Sequence, residues 1–118
     1  MRIAFSIAFQ ESVDYYFTED SLAHLIRRLI EAPYTGALVR GLRGMRKIRA
    51  PDTVFHIGTR SGLRVIYSYD HRKQLIVLYF TYRKRDQPDL LPHQRAYLIH
   101  LSLIDIDDED LWHDPRNN

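Results

Sequence analysis

The chain has 118 residues, 45% hydrophobic and 27% charged, with no cysteine and a formal net charge of +2. A chain of this length buries a core in one domain without covalent staples, and the missing thiols exclude a disulfide framework, a thiol nucleophile and a thiolate zinc site. No apolar run approaches the roughly 18 residues of a membrane span and no signal-peptide pattern opens the chain, so the expectation is a cytoplasmic protein with no membrane partner.

Ile3, Phe5 and Ile7 alternate with Ala4, Ser6 and Ala8, a period of two that predicts a strand over residues 2–9, with a helical turn or two over 10–16. Thr18 then opens a helix, with Glu19 and Asp20 in its first turn. Leu22, Leu25, Ile26, Leu29 and Ile30 follow at helical spacing. Pro33 ends it, because proline lacks an amide donor and biases its predecessor away from helix. Tyr34 to Gly44 reads as a loop or short turn leading to a strand over Met45 to Ala50, which Pro51 breaks. The run Leu63 to Tyr69, a turn at Asp70 to Lys73 and the run Leu75 to Tyr82 form an antiparallel hairpin. Its second strand is apolar at nearly every position, as in a central strand covered on both faces. Pro92 sits in the first turn of a last helix carrying Ala96, Leu98, Ile99, Leu101 and Leu103. The expected architecture is α+β: an N-terminal strand and helices packed on a small antiparallel sheet of about four strands, with a C-terminal helix. Residues 1–104 form the domain, and 105–118 read as an acidic, flexible tail.

The near-neutral total hides two opposed blocks. Arg40 to Arg85 holds twelve Lys or Arg against Asp52 and Asp70, whereas Asp105 to Asn118 holds six acids against Arg116. A basic block this dense repels itself unless an anionic partner or the tail compensates, which points to a polyanion. By the period of two, Met45, Lys47 and Arg49 share one strand face, and Arg46, Ile48 and Ala50 the other. Arg64 shares a face with Ile66 and Ser68. If Lys47, Arg49 and Arg64 lie on the same side of the sheet they make a cationic patch suited to a phosphodiester, since Arg offers a planar fork and Lys a mobile point charge. Other motifs fail. Gly36 and Gly41 have phosphate-loop spacing, but Leu42 and Arg43 stand where Lys and Ser or Thr are required. The six histidines show no metal-ligand spacing, and no nucleophile elbow is present. No metal or cofactor is expected. The tyrosines read mainly as packing residues, some of them able to stack on bases.

Gly41-Leu42-Arg43-Gly44-Met45-Arg46-Lys47-Ile48-Arg49, then Gly62-Leu63-Arg64-Val65-Ile66-Tyr67, then Leu78-Tyr79-Phe80-Thr81-Tyr82-Arg83-Lys84 with Asp89-Leu90 and Gln94, together resemble the RelE/ParE superfamily of bacterial toxins, nearest its HigB-like branch. The likeness runs from the first strand to about residue 103. It implies a RelE-like fold and the toxin of a type II toxin–antitoxin pair. The implied activity is an endoribonuclease (mRNA interferase) acting on the translating ribosome, and the implied partner is a cognate helix-turn-helix antitoxin. The resemblance matches Lys47, Arg49, Arg64 and Lys84 to positions that bind or cleave RNA, and Arg85 to an arginine that stabilises the transition state. Arg43, Arg46, Arg60, Tyr82 and Arg83 are the expected RNA contacts around them. Leu91 stands where RelE-type enzymes carry a tyrosine, so the resemblance does not assign the acid and base; Lys47 or Lys84 is the expected proton-transfer group. RNA brings its own 2′-OH nucleophile, so cleavage without metal needs only alignment, stabilisation of a dianionic transition state and two proton movements. The alternatives are a ParE-like inhibitor of DNA gyrase and an inactive member that acts by binding.

Overall fold

A computed structural model describes residues 1–104 and the two-residue strand at Trp112–His113. Strand β1 spans Arg2–Ser6 and passes directly into helix α1, Ile7–Tyr16. The strand is shorter and the helix longer than the alternation suggested. Ser6 is the reason: its hydroxyl accepts the Phe9 amide at 3.1 Å, capping the helix, and donates to the Tyr79 carbonyl at 2.7 Å. Helix α2, Glu19–Glu31, follows as expected. Thr18 and Ser21 cap it reciprocally, each side chain accepting the other's amide at 3.1 and 2.9 Å.

Four strands come next: β2 (Ala37–Leu38), β3 (Arg46–Ala50), β4 (Leu63–Asp70) and β5 (Leu75–Arg83). Helix α3, Pro92–Ser102, begins with proline in its first turn, where the missing amide costs nothing. The segment Trp112–His113 is β6. The sheet has the order β2-β3-β4-β5-β1-β6. The α+β class and the C-terminal helix stand as expected, but the sheet is larger than four strands and is mixed, because β1 runs parallel to β5 with Arg2 opposite Leu75 and Phe5 opposite Leu78. Most of the acidic tail lies outside the described residues; at Trp112–His113 its backbone pairs antiparallel with β1.

Each face of the sheet has its own core. Helices α1 and α2 cover Ile48, Val65, Tyr67, Ile76 and Leu78 with Phe9, Leu25 and Leu29. Helix α3 covers Ala4, Ile66, Val77 and Tyr79 with Leu98 and Leu101. Strand β5 is therefore buried on both sides, which explains its continuous apolar run.

Two irregularities decide which side chains reach each face. Ile66 pairs with Phe80 but Tyr67 with Leu78, so Tyr79 is an extra residue that resets the alternation of β5. Before the bulge Val77 and Tyr79 face α3; after it Phe80 and Tyr82 do, and Arg83 turns to the α1 side. At the start of β4, a Cβ on Gly62 would stand 2.6 Å from the carbonyl oxygens of both Ala50 and Gly58, so only glycine lets these backbones close.

A cationic sheet face as candidate functional site

Directly opposed residues of an antiparallel pair share a face. Arg49 stands opposite Arg64, Arg64 opposite Tyr82, and Lys47 opposite Ile66. The structure thus brings Lys47, Arg49, Arg64 and Tyr82 onto the α3 side of three adjacent strands.

Arg64 is 6% exposed. Its guanidinium donates to the carbonyls of Thr59 at 3.0 Å, Leu63 at 3.1 Å and Arg60 at 2.7 Å. Burial first, and then the Arg49 charge across the ladder, pull its pKa below the usual guanidinium value, while Tyr82 opposes them. Arg64 is consequently a fixed cation that shapes the Thr59–Leu63 turn. Arg49 is exposed, and Arg28 of α2 donates to its carbonyl at 3.0 Å, which fixes the strand rather than the side chain.

Lys47 reaches Asp89 at 3.4 Å. The Asp89 carboxyl is held below its ordinary value, chiefly by the Leu90 amide it accepts at 2.8 Å and further by Lys47 and Arg95, against the opposing effect of burial. Lys84 and Arg85 succeed β5 on the loop to α3. The Lys84 amide donates to the Gly62 carbonyl at 2.9 Å and its ammonium to the Pro88 carbonyl at 2.7 Å, placing the loop against the Arg64 end of the sheet. A Gln87–Gln94 amide contact of 2.7 Å ties that loop to α3. Tyr82 is 2% exposed with its hydroxyl buried and without a partner. Burial foremost, together with Asp89 and against Arg64, pushes it up to about 12.

Other expected residues lie elsewhere. Arg83 is 2% exposed on the opposite face. Its Nε meets Asp52 Oδ2 at 2.6 Å, and its guanidinium packs 4.5 Å from the Tyr15 ring centre and 5.0 Å from that of Tyr16. The bulge at Tyr79 puts it there, so in this structure it is an internal cation rather than an RNA contact. Arg46 also faces away from Lys47. It donates to the carbonyls of Tyr34 at 3.2 Å and Gly36 at 2.7 Å and lies over the Tyr34 ring. Arg43, with φ of 51°, and Arg60 are exposed in loops flanking the row. Leu91 is 40% exposed just before α3.

Reading the basic block by its cations missed the residues that organise it, Asp52, Asp89 and Phe55. A signal for Asp52 was present: a carboxylate nearly alone among twelve cations marks an internal ion pair. Among the described residues no group of three or more His, Asp or Glu is placed to hold a metal, and no helix is long and apolar enough to cross a membrane.

No protein-family model matches the sequence. Among solved structures, a free-state mutant of E. coli toxin RelE, with two arginines replaced by alanine, is similar at a TM-score of 0.53 and 15% identity, over 88% of this chain and 100% of its own. At that identity the likeness speaks for architecture, and the architecture of this chain is RelE-like.

Proposed function

We propose that this protein is the toxin of a type II toxin–antitoxin pair, HigB-like in its motifs, that cuts mRNA on the translating ribosome. The observation that carries the reading is the row of Lys47, Arg49 and Arg64 on one sheet face beside the Lys84–Arg85 loop, joined on a RelE-like fold. In this reading the RNA 2′-OH attacks the adjacent phosphorus and the 5′-oxygen leaves, giving a 2′,3′-cyclic phosphate.

Exposed Arg49 receives a nonbridging phosphate oxygen, and Arg64, already engaged with three carbonyls, adds its positive field from beneath. Side-chain cations, rather than a metal, meet the charge that builds on the nonbridging phosphoryl oxygens. Lys47 enters once phosphate displaces Asp89, so Lys47 and Lys84 are the groups that move protons. Arg85 completes the phosphate grip from the loop. Tyr82 stays protonated at physiological pH and acts, if reached, as a donor only. The partners in this reading are ribosome-bound mRNA and a helix-turn-helix antitoxin, met in the cytoplasm.

The test is induced expression of the parent, Arg49→Ala and Lys84→Ala chains with primer extension on ribosome-bound mRNA and a parallel gyrase supercoiling assay. Growth arrest with new mRNA ends in the parent, and loss of both in the variants, is the expected result. Cuts that persist in both variants overturn the site, and inhibited supercoiling with intact mRNA favours the gyrase reading instead.

A further inference from the structure

Beyond the end of the cationic row lies an aromatic group with no part in the cleavage chemistry. Asp52 and Ile57 exchange backbone hydrogen bonds at 2.8 and 2.9 Å, closing a tight turn over Thr53–His56. One Asp52 oxygen holds Arg83 at 2.6 Å; the other accepts the Phe55 amide at 3.2 Å. Phe55 is thereby fixed at the tip, and its ring centre lies 4.5 Å from the Arg83 guanidinium and 5.0 Å from that of Arg85. Half of Phe55 is nevertheless exposed. Arg85 is exposed and forms no ion pair among the described residues, so its rest on the ring is readily exchanged.

The ring stands at the same end of the sheet as the proposed phosphate site, but on the α1 face with Arg83. Ala50, Leu63 and Arg83 form the row immediately beyond Arg49, Arg64 and Tyr82, and the turn bearing Phe55 grows from the end of that row. Arg60, Lys84 and Arg85 give this end of the sheet a cationic rim suited to a nucleic-acid backbone. We propose that Phe55 is a stacking platform for an unpaired nucleobase of a strand whose backbone follows this rim around the end of the sheet from the phosphate held at Arg49. The base takes the place of the Arg85 guanidinium, which is released to the strand's backbone. Filling the platform would therefore free a cation of the rim for that backbone, and bases that stack well would be preferred there. This inference rests on the reading of RNA as substrate.

The experiment uses the full chain and short single strands made throughout of 2′-deoxy nucleotides, which lack the nucleophile and stay intact. A fluorescent 2-aminopurine or an abasic site is placed at each position in turn. One position is expected to show quenching, and an abasic site there to weaken binding roughly ten-fold, the size of one base–aromatic stack. Phe55→Leu should lose the quenching and Phe55→Trp keep it, at equal thermal stability. If no position is sensitive to base removal in the parent, the platform is wrong, whatever the variants do. A folded Phe55→Leu chain that quenches and binds like the parent overturns it equally. A parent that cuts mRNA but fails these arms loses the platform alone; one that passes them without cutting mRNA loses the nuclease reading instead.

Discussion

Lys47 and Asp89 meet at 3.4 Å where the loop before α3 touches the cationic row, so a carboxylate of that loop occupies a cation that the proposed function gives to phosphate. The Asp89 side chain is 65% exposed, which makes the contact weak and exchangeable. Asp89→Asn keeps an oxygen for the Leu90 amide and removes the competing charge. Single-stranded RNA should then bind roughly two- to five-fold tighter at low salt, the scale of one exposed ion pair. The salt slope should steepen by about 0.7 if one more phosphate is engaged. A salt titration of parent and variant measures both; unchanged affinity and slope would mean Lys47 does not meet RNA.

Asp52 and Arg83 are each almost fully buried, at 1% and 2% exposure. Burial pulls the Arg83 pKa down, but the Asp52 contacts outweigh it and hold the guanidinium charged. Asp52→Ala strands that charge, and should cost about 3–5 kcal/mol in urea unfolding. The double replacement Asp52→Leu with Arg83→Met removes both charges and should be markedly less destabilising than the single change. Equal losses would show that the packing, not the unpaired charge, sets the cost.

Arg64→Lys tests the fixed cation. A single ammonium cannot reproduce a guanidinium fork on three carbonyls. The variant should lose about 2 kcal/mol, and amide exchange should accelerate across Gly58–Gly62 before it does in β5. Protection that stays even across both segments would contradict the turn-holding role.

Tyr82→Phe separates stability from activity. The hydroxyl has no partner, so its removal should leave stability at neutral pH unchanged or raise it by up to about 1 kcal/mol. Because the folded phenol is pushed up to about 12, the native chain keeps its proton where the unfolded chain, near 10, has lost it. Stability is therefore present below pH ~10 and falls as pH rises toward 12. Phenylalanine should flatten that part of the alkaline limb, leaving the share due to Tyr16, Tyr67, Tyr79 and Tyr97, which burial also raises. Alkaline unfolding followed by circular dichroism gives the comparison.

Local signals in the sequence carried the local structure well. The Thr18 cap, the Pro92 start and the apolar hairpin all lie where their residues specify. The period of two also aligned Lys47 and Arg49 with Arg64, because antiparallel neighbours in register share a face. What escaped it depended on distant partners. The alternation through Phe9 looked like continued strand because the Ser6 cap is completed by Tyr79, 73 residues away. Arg83 reads with Tyr82 because the bulge at Tyr79 has no local signature, and the isolated carboxylate of Asp52 marks an ion pair without naming its partner. The parallel seating of β1 beside β5 is equally non-local, since no turn connects them.

That last pairing orders events during synthesis. Strand β1 has its hydrogen-bonding neighbour β5 only after residue Leu75 is added, so β1 must wait, unpaired, while two helices and three strands are made. Folding of this kind is slow to nucleate and finishes late. A chain that stops before β5 has no centre to its sheet, and its aligned cations on β3 and β4 lack both Tyr82 and the Lys84–Arg85 loop beside them. On the proposed reading, the phosphate site is complete only after β5 and that loop have been made.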